Sequence, residues 1–253
     1  MTDLTVSDLT VRAKEAVLVD GASFSLCMGE LVILLGPNGA GKTSLIRGAL
    51  NLDRSAAGTA ILGEQSLAAL TPSQRAREIA YLPQIRPLAW PNRVRDIVAL
   101  GRFSHGAAMG KLSEEDDAAV SRAIAACDLA DLEHRGADTL SGGELARVHC
   151  ARAFASECPL LIADEPTAAL DPRHQFRILD LIKTYVDAGG GALLVLHDIE
   201  LAARYATRLI WMKGGKIVAD GPVGDTLTQD RLAEVYGVRA TIDGTRVEMD
   251  GAL

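Results

Sequence analysis

Short uninterrupted runs of apolar residues recur along this chain, separated by stretches with helical periodicity. Each run is about five residues long, and the three clearest are Leu31–Leu35, residues 159–163 and residues 192–196. Runs of this length are typical of strands buried on both faces of a parallel sheet. A helix is predicted between the second and third runs, at residues 173–188. Alternating buried strands and helices predict an α/β fold with a mostly parallel sheet.

Half-exposed strands are predicted on either side of the first apolar run. Residues 4–11 and 23–26 alternate loosely between apolar and polar side chains, which is the period of a strand with one wet face. Residues 58–63 form another short strand pattern bounded by glycines. Together these segments predict an antiparallel β flank beside the parallel core.

The C-terminal part of the chain predicts two hairpins with a helix between them. Residues 209–218 fold about Gly214 and Gly215, a pair typical of a tight turn. A helix follows at Gln229–Tyr236, and a second hairpin turns at Asp243 and Gly244.

The middle of the chain, from about residue 84 to residue 139, has a different character. Prolines interrupt its beginning at Pro83, Pro87 and Pro91. The run Ser113-Glu114-Glu115-Asp116 predicts the start of a helix with acidic residues in its first turn. One apolar helical face follows at Val120, Ala123, Ile124 and Cys127. We therefore predict a helical subdomain at about residues 84–140, inserted into a core formed by about residues 1–83 and 141–253.

Composition limits the classes of function that fit. The 253 residues are 48% hydrophobic, enough for a substantial core, and the formal net charge is −7 with no basic block. This balance argues against nucleic acid as the main partner. The four cysteines are far apart in the sequence, which predicts reduced, small apolar residues rather than a zinc site or disulfide frame: Cys27, Cys127, Cys150 and Cys158.

No targeting or membrane segment is expected. The N-terminus lacks a basic region followed by an apolar core, and no apolar run approaches the roughly 18 residues needed to span a bilayer. We expect a cytosolic protein that reaches a membrane only through another subunit.

One glycine-rich stretch carries the clearest chemistry. Residues 36–43 fit the phosphate-loop pattern G-x-x-x-x-G-K-[ST], between a predicted strand and a predicted helix. Successive backbone N–H groups and the helix N-terminus suit an anion, Lys42 can reach terminal phosphates, and the Thr43 hydroxyl can ligate Mg²⁺. The predicted nucleotide-binding residues are Gly36, Pro37, Asn38, Gly39, Ala40, Gly41, Lys42, Thr43 and Ser44. The alternative is a glycine-rich turn beside a surface lysine.

Two carboxylates follow the second apolar run. Asp164 and Glu165 stand at the carboxyl end of a predicted central strand, where open α/β sheets bind ligands. Phosphoryl transfer needs one carboxylate to hold Mg²⁺ and another group to orient or deprotonate the attacking water. Asp164 suits the first role and Glu165 the second. Alone, such a pair is more often a helix cap or a solvated turn, but a phosphate loop in the same chain makes the pair more specific.

A second candidate anion site precedes a predicted helix. Ser141 and Glu144 form a capping-box pattern, which is the purely structural explanation. The intervening Gly142 and Gly143 leave a bare backbone that a phosphate could approach closely. One domain hydrolysing one nucleotide has little use for two anion sites, whereas two copies facing head to tail would use both.

With these motifs in order, the chain resembles the ATP-binding subunit of ATP-binding-cassette (ABC) transporters over nearly its whole length. The motifs that carry the resemblance are residues 36–43 (Walker A), Gln84 (Q-loop), residues 140–144 (signature), residues 160–165 (Walker B), residues 169–171 (D-loop) and His197 (switch histidine). The resemblance implies an ABC ATPase fold around a P-loop core, with ATP and Mg²⁺ as ligands. It also implies that Gln84 contacts Mg²⁺ or the attacking water, that Asp171 belongs to the dimer contact, and that His197 contacts the γ-phosphate and helps to hold Glu165.

Three positions depart from the family pattern. Ala13 stands where an aromatic residue usually stacks on adenine, which leaves base preference open. The signature ends in Glu144 rather than Gln, and Ala168 replaces a common serine before the D-loop.

Two further segments narrow the resemblance. Residues 81–84 with 94–102, and residues 234–238, are similar to the ATPases of importers for iron chelates (siderophores), haem and cobalamin. The implied partners are a second copy of the chain, integral membrane permease subunits and, indirectly, a solute-binding protein. The implied location is the cytoplasmic face of the membrane. Alternatives are an importer of another cargo, a non-transport ABC ATPase in DNA repair or translation, and a nucleotide sensor without turnover.

Overall fold

A computed structural model describes residues 3–53, 55–84, 92–108 and 111–253 of the chain. These residues group into two compact units. The first unit consists of Met1–Leu70 and Gly191–Leu253, and the second unit is Thr71–Gly190.

The elements follow one another along the chain as β strands and α helices. Up to residue 190 they are β1 (Leu4–Ala13), β2 (Ala16–Leu26), β3 (Leu31–Leu35), α1 (Lys42–Ala49), β4 (Ala56–Leu62), β5 (Gln65–Ser66), α2 (Pro72–Glu78), β6 (Ile79–Leu82), α3 (Val94–Ala99), α4 (Glu114–Ala126), α5 (Gly142–Ala155), β7 (Leu160–Asp164) and α6 (Pro172–Asp187). The remainder are β8 (Gly191–Val195), α7 (Ile199–Tyr205), β9 (Arg208–Lys213), β10 (Lys216–Pro222), α8 (Val223–Thr226), α9 (Gln229–Tyr236), β11 (Val238–Asp243) and β12 (Arg246–Ala252). Short 3₁₀ helices cover Leu67–Ala69, Leu100–His105, Ala130–Leu132 and Ala137–Thr139.

The first unit contains the predicted antiparallel flank. Its strands are ordered β2-β1-β4-β5, and every pairing is antiparallel. The strand predicted at residues 23–26 is the end of a longer strand, β2, which pairs with β1 along most of its length. The N-terminal half of β2 is largely exposed. Its sequence therefore shows too little apolar periodicity to predict a strand.

The parallel sheet of this unit is built around β3. Strand β3 lies between β8 and β9 and is parallel to both, while β10 pairs antiparallel with β9. All five residues of β3 and all five of β8 are buried. In the register, Leu34 is opposite Val195, so the two strands end at the same edge of the sheet. A ligand loop after β3 therefore has the end of β8 as its neighbour.

The second unit holds a parallel strand pair and most of the helices. Strands β6 and β7 pair in parallel, with Leu82 opposite Ala163. Helix α4 begins after Ser113, whose side chain accepts a hydrogen bond from the Asp116 backbone N–H. Its apolar face is buried as predicted, at Val120, Ala123, Ile124 and Cys127.

Most of the predicted elements are confirmed, and the structure adds short elements that were not predicted, namely β5, β6, α2, α7 and α8. In the sequence, helix α2 and strand β6 come after the strands of the antiparallel flank and before the predicted helical segment. Strand β6 has only four residues, and the first turn of α2 is fixed by a capping box between Thr71 and Gln74 rather than by an apolar face. Pro87 and Pro91, which we expected to interrupt the chain, lie outside the described residues. The four cysteines are free thiols, as expected.

Candidate nucleotide-binding site

The predicted phosphate loop joins β3 to α1 within the first unit. Because β3 is buried along its length, the start of the loop is firmly held. Helix α1 begins at Lys42, after Gly41 in a left-handed conformation with φ of 99°. The positive end of the α1 dipole therefore lies at the loop, where a negative charge is stabilised. Thr43 and Ser44 are half-buried in the first turn, and Asn38 and Gly39 are exposed.

Two glycines of the loop are required by close packing of the backbone. At Gly36, with φ of 156°, a Cβ atom would overlap the backbone carbonyl oxygen of Met212. At Gly41 it would overlap the carbonyl oxygen of Leu18. Gly39 also has positive φ, 79°, but no described atom would lie within 4 Å of its Cβ. The first and third glycines of the motif therefore serve packing, and the middle one serves conformation alone.

Lys42 lies inside the loop. Its side chain is buried, and Nζ donates hydrogen bonds to the carbonyl oxygens of Gly36 at 2.6 Å and Pro37 at 3.0 Å. These bonds hold the ammonium group against the backbone of the loop. A phosphate oxygen is a stronger acceptor than a carbonyl because the bond is charge-assisted at both ends.

His197 leaves the sheet beside the phosphate loop. It follows β8 by two residues, and β8 is the parallel neighbour of β3. Its side chain is exposed, and the next residue, Asp198, caps α7 by accepting from the Leu201 N–H at 2.9 Å. Within the first unit, the fold therefore brings His197 and the phosphate loop to one edge of one sheet.

The two predicted carboxylates stand at the end of β7 in the second unit. Asp164 is fully buried, whereas Glu165 is half-buried and has φ of 53°. A left-handed conformation is costly for a residue with a long side chain, and such outliers concentrate at functional sites. Gln84 follows β6 by two residues, and because β6 and β7 are parallel it leaves the same edge of this strand pair; its side chain is exposed.

The predicted signature residues form the N-terminus of α5. Ser141 and Glu144 make a complete capping box: the Ser141 Oγ accepts from the Glu144 N–H, and the Glu144 carboxylate accepts from the Ser141 N–H at 2.7 Å. The pKa of Glu144 is lowered most by the hydrogen bond from the Ser141 backbone N–H and, after that, by the hydrogen bond with the Ser141 hydroxyl. Ser141 and Gly142 are exposed, and a Cβ at Gly142 would meet no described atom within 4 Å. Nothing in the described part of this chain thus requires glycine there.

Asp171, the predicted D-loop residue, caps helix α6. Its carboxylate accepts from the His174 backbone N–H at 3.0 Å and pairs with the His174 ring at 2.8 Å, and both interactions lower the pKa of Asp171. Gln175 Nε2 donates to the carbonyl oxygens of Leu170 at 3.1 Å and Thr167 at 3.4 Å. The segment that runs from Glu165 to Asp171 is therefore bound to the first turns of α6.

Ala13, at the predicted base-stacking position, is exposed at the end of β1. A residue to which the sequence assigned no role in the site also touches the loop: the Tyr236 hydroxyl, at the end of α9, accepts a hydrogen bond from the Gly36 N–H at 3.0 Å. Gly36 and Tyr236 are 200 positions apart, so the only signal for this contact in the sequence was the tyrosine in the predicted helix.

Comparison with known proteins agrees with these features. The family model described as ABC transporter matches residues 19–168. The hemin import ATP-binding protein HmuV of Pseudomonas fluorescens strain Pf-5 is 38% identical over 244 residues, covering 94% of each chain. The cobalamin import ATP-binding protein BtuD of Halobacterium salinarum strain R1 is 35% identical over 240 residues, covering 94% of this chain and 60% of that protein.

A solved structure has the same fold. A dimeric bacterial ABC transporter cassette, MJ0796, superposes with a TM-score of 0.75 at 25% identity, covering 87% of this chain and 98% of that one. The predicted fold class and the predicted resemblance are both confirmed. Within the described residues, no helix combines the length and apolarity needed to cross a bilayer. The chain belongs to the ABC transporter family, as the subunit that binds ATP and hydrolyses it to drive transport.

Proposed function

We propose that this chain powers an ABC importer whose cargo is an iron-siderophore, haem or cobalamin-type chelate. The observation that carries the proposal is the match along 94% of the chain to a hemin import subunit. The cobalamin import relative supports the broader chelate class. The phosphate loop, with Lys42 seated on its carbonyl oxygens, gives the chain a built site for the nucleotide phosphates.

ATP would bind with its phosphates in the loop. Residues 36–44 surround them, and the Lys42 ammonium neutralises charge on the terminal phosphates. Thr43, Asp164 and Gln84 would hold Mg²⁺, which supplies charge neutralisation on the phosphates. Their hydroxyl, carboxylate and amide oxygens are the hard donors that Mg²⁺ prefers, together with substrate phosphates. Asp164 stands at the carboxyl end of β7, the place where open α/β sheets bind ligands, which supports this assignment.

Glu165 would orient or deprotonate the attacking water. Its left-handed backbone, at the turn after β7, fixes the direction in which the carboxylate leaves the strand. His197, at the edge next to the phosphate loop, would contact the γ-phosphate and help to hold the base. Because the transition state carries its charge on phosphoryl oxygens, positioning of these groups supplies most of the catalysis.

Two copies of the chain would form two sites, head to tail. The exposed N-terminus of α5, with open space at Gly142, is suited to approach the phosphate loop of a second copy. Asp171 would belong to the same contact between copies. A solved cassette of this fold is a dimer, which supports the arrangement.

Transport also requires membrane subunits. We propose that about residues 84–140 form a helical subdomain, within a core of about 1–83 and 141–253, and that Gln84 and this subdomain pass closure of the dimer to two permease subunits. A solute-binding protein would deliver cargo from the other side, and the chain would lie on the cytoplasmic face.

The substitution Glu165→Gln tests the assignment of the base. ATP hydrolysis with Mg²⁺ should fall by about 100-fold or more, because a general base contributes 10² to 10⁴ in rate, while ATP binding is retained. In cells lacking the native chain, the variant should also fail to restore accumulation of hemin, ferric siderophore or cobalamin.

The matched control is Glu64→Gln, which changes an exposed carboxylate in the turn between β4 and β5, outside the proposed helical subdomain. It should leave both the rate and the uptake unchanged. Retention of more than half of the wild-type hydrolysis rate by Glu165→Gln would exclude Glu165 as the base. If cells that carry Glu165→Gln took up every tested chelate as well as wild-type cells do, the proposed cargo class would be contradicted.

A further inference from the structure

We propose that Tyr236, on the C-terminal helix α9, is a positioning residue for nucleotide binding: its hydroxyl holds Gly36 in the conformation in which the phosphate loop receives Lys42. The inference rests on the proposed role of this loop as the phosphate site. It gives the C-terminal segment that carries Tyr236 a role in nucleotide affinity, which none of the sequence motifs indicated.

The peptide groups of Gly36 are held from both sides. Its N–H donates to the Tyr236 hydroxyl at 3.0 Å, and its carbonyl oxygen accepts from Lys42 Nζ at 2.6 Å. The residue is also packed closely against the backbone of Met212. The position of Gly36 thus decides where the lysine ammonium lies, and the tyrosine hydroxyl is one of the groups that fix that position.

The Tyr236 side chain is itself fixed. Its ring meets Trp211 of β9 edge to face, with ring centroids 6.4 Å apart and an interplanar angle of 76°. Trp211 is fully buried and lies opposite Leu35, the residue before Gly36, in the β3–β9 register. The hydroxyl is therefore carried by a packed aromatic pair rather than by a mobile side chain, which is what precise positioning requires.

Helix α9 is tied down at the same place. Lys213 Nζ donates to the carbonyl oxygen of Glu234, and α9 ends at Gly237 in a left-handed conformation with φ of 68°. The Leu253 N–H closes the C-terminal hairpin onto the Gly237 carbonyl oxygen at 2.8 Å. These bonds connect strand β9, helix α9 and the terminal hairpin beside the contact between Tyr236 and the loop.

Loss of the hydroxyl would leave the Gly36 amide without its acceptor in a partly buried place. A buried donor without a partner is costly, so the loop would move to pair it elsewhere, and the carbonyl that receives Lys42 would move with it. Burial raises the pKa of Tyr236 to about 12, so the hydroxyl stays neutral well above physiological pH. The contribution of the Tyr236 hydroxyl to nucleotide affinity should therefore be constant between about pH 6 and pH 9, because the hydroxyl does not change charge in that range.

The test compares Tyr236→Phe with Tyr185→Phe in the full-length chain. Tyr185 is the matched control because its hydroxyl is also largely buried and donates to the carbonyl oxygens of Cys158 and Pro159, remote in sequence from the phosphate loop. The measurements are the Kd of a fluorescent ATP analogue, the steady-state KM and kcat, and the Tm without nucleotide.

For Tyr236→Phe we expect the Kd and KM to rise by about 5- to 20-fold, the lower part of the range expected when a buried donor loses its acceptor, with kcat changed less than about twofold. For Tyr185→Phe we expect a lower Tm with Kd within about twofold of the wild-type value, because the lost bond only stabilises the fold.

A second variant guards against a trivial loss of folding. Lys213→Met removes a tether of α9 but keeps the tyrosine, and it should raise Kd in the same direction by a smaller factor. Unchanged Kd in both Tyr236→Phe and Lys213→Met would overturn the inference, as would equal increases in Tyr236→Phe and Tyr185→Phe. A wild-type protein that binds the analogue without hydrolysing ATP would instead contradict the catalytic assignment, and the Kd comparison would still be decisive here.

Discussion

At the scale of single residues, the glycines of the phosphate loop have unequal roles. A side chain at Gly36 would overlap a backbone carbonyl of β9, whereas one at Gly39 would extend into space that no described atom occupies. Backbone atoms of a buried sheet move less easily than side chains, so the clash at Gly36 is costly to relieve. The motif therefore combines a packing requirement and a purely conformational one.

This difference predicts unequal effects of the same substitution. Gly36→Ala should lower the free energy of unfolding by about 1–3 kcal/mol, the usual cost of overpacking, and should abolish nucleotide binding because the loop is displaced. Gly39→Ala, the matched control, should cost about 1 kcal/mol for the left-handed backbone alone. Urea unfolding and nucleotide titration would check both values. Equal destabilisation by the two variants would contradict the packing argument.

At the scale of elements, α4 is attached to the 3₁₀ helix Leu100–His105 by a buried ion pair. Arg102 is only 3% exposed, and its Nε donates to the Asp116 carboxylate at 2.8 Å. Ser113 donates to the other carboxylate oxygen at 2.7 Å, and this bond, with the Arg102 contact, lowers the pKa of Asp116. The charge pair and the helix cap are thus one network.

Removal of the carboxylate should therefore be costly. Asp116→Asn removes the closer of the two carboxylates that pair with the buried Arg102 guanidinium, the other being Glu157 at 3.3 Å, and we expect a loss of about 2 kcal/mol of unfolding free energy at neutral pH, the usual value for a hydrogen bond to a charged group. The exposed pair between Lys183 and Asp187 on α6 is the control, and Lys183→Met should cost less than about 0.5 kcal/mol. Urea unfolding measures both, and comparable losses would contradict the role of burial.

The same network predicts a dependence on pH. Since the pKa of Asp116 is lower in the folded protein than in the unfolded chain, its contribution is present above the unfolded value near 4 and is lost as pH falls through the folded value. The stability difference between wild type and Asp116→Asn should therefore narrow below about pH 4.

At the scale of the whole molecule, our proposal is that a single chain supplies the parts of two half-sites. The phosphate loop and the predicted catalytic residues would act in one site, while the exposed signature would complete the other site in a second copy. Gly142 is suited to test this arrangement because its helical backbone and open surroundings allow a large side chain without disturbing its own fold.

We therefore predict that Gly142→Arg keeps the wild-type Tm within a few degrees but loses ATP hydrolysis, because the arginine would disable the nucleotide site that its own signature faces without preventing the two copies from associating. Gly224→Arg is the control, since Gly224 is also exposed and has no described atom within 4 Å of its Cβ position. Mixing inactive Gly142→Arg with inactive Glu165→Gln should restore activity, because one site of each mixed dimer has both an intact base and an intact signature. No recovery in a verified mixed dimer would contradict the head-to-tail arrangement.

The sequence by itself determined the local features of this protein. The buried strands β3, β7 and β8, the helix starts at Ser113 and Ser141, and the phosphate loop all follow from residue types within a few positions of one another. Strand β6 was missed because four residues are too few to show a period, and α2 because none of its residues is buried.

The tertiary structure alone decided which distant residues meet. The placement of β3 between β8 and β9, the bond from Gly36 to Tyr236 and the Arg102 network join positions separated by 14 to 200 residues. Such contacts depend on how whole elements pack, and packing is set by the shapes and burial of many side chains together. For that reason the loop motif could be recognised from its eight residues, but the tyrosine that holds it could not.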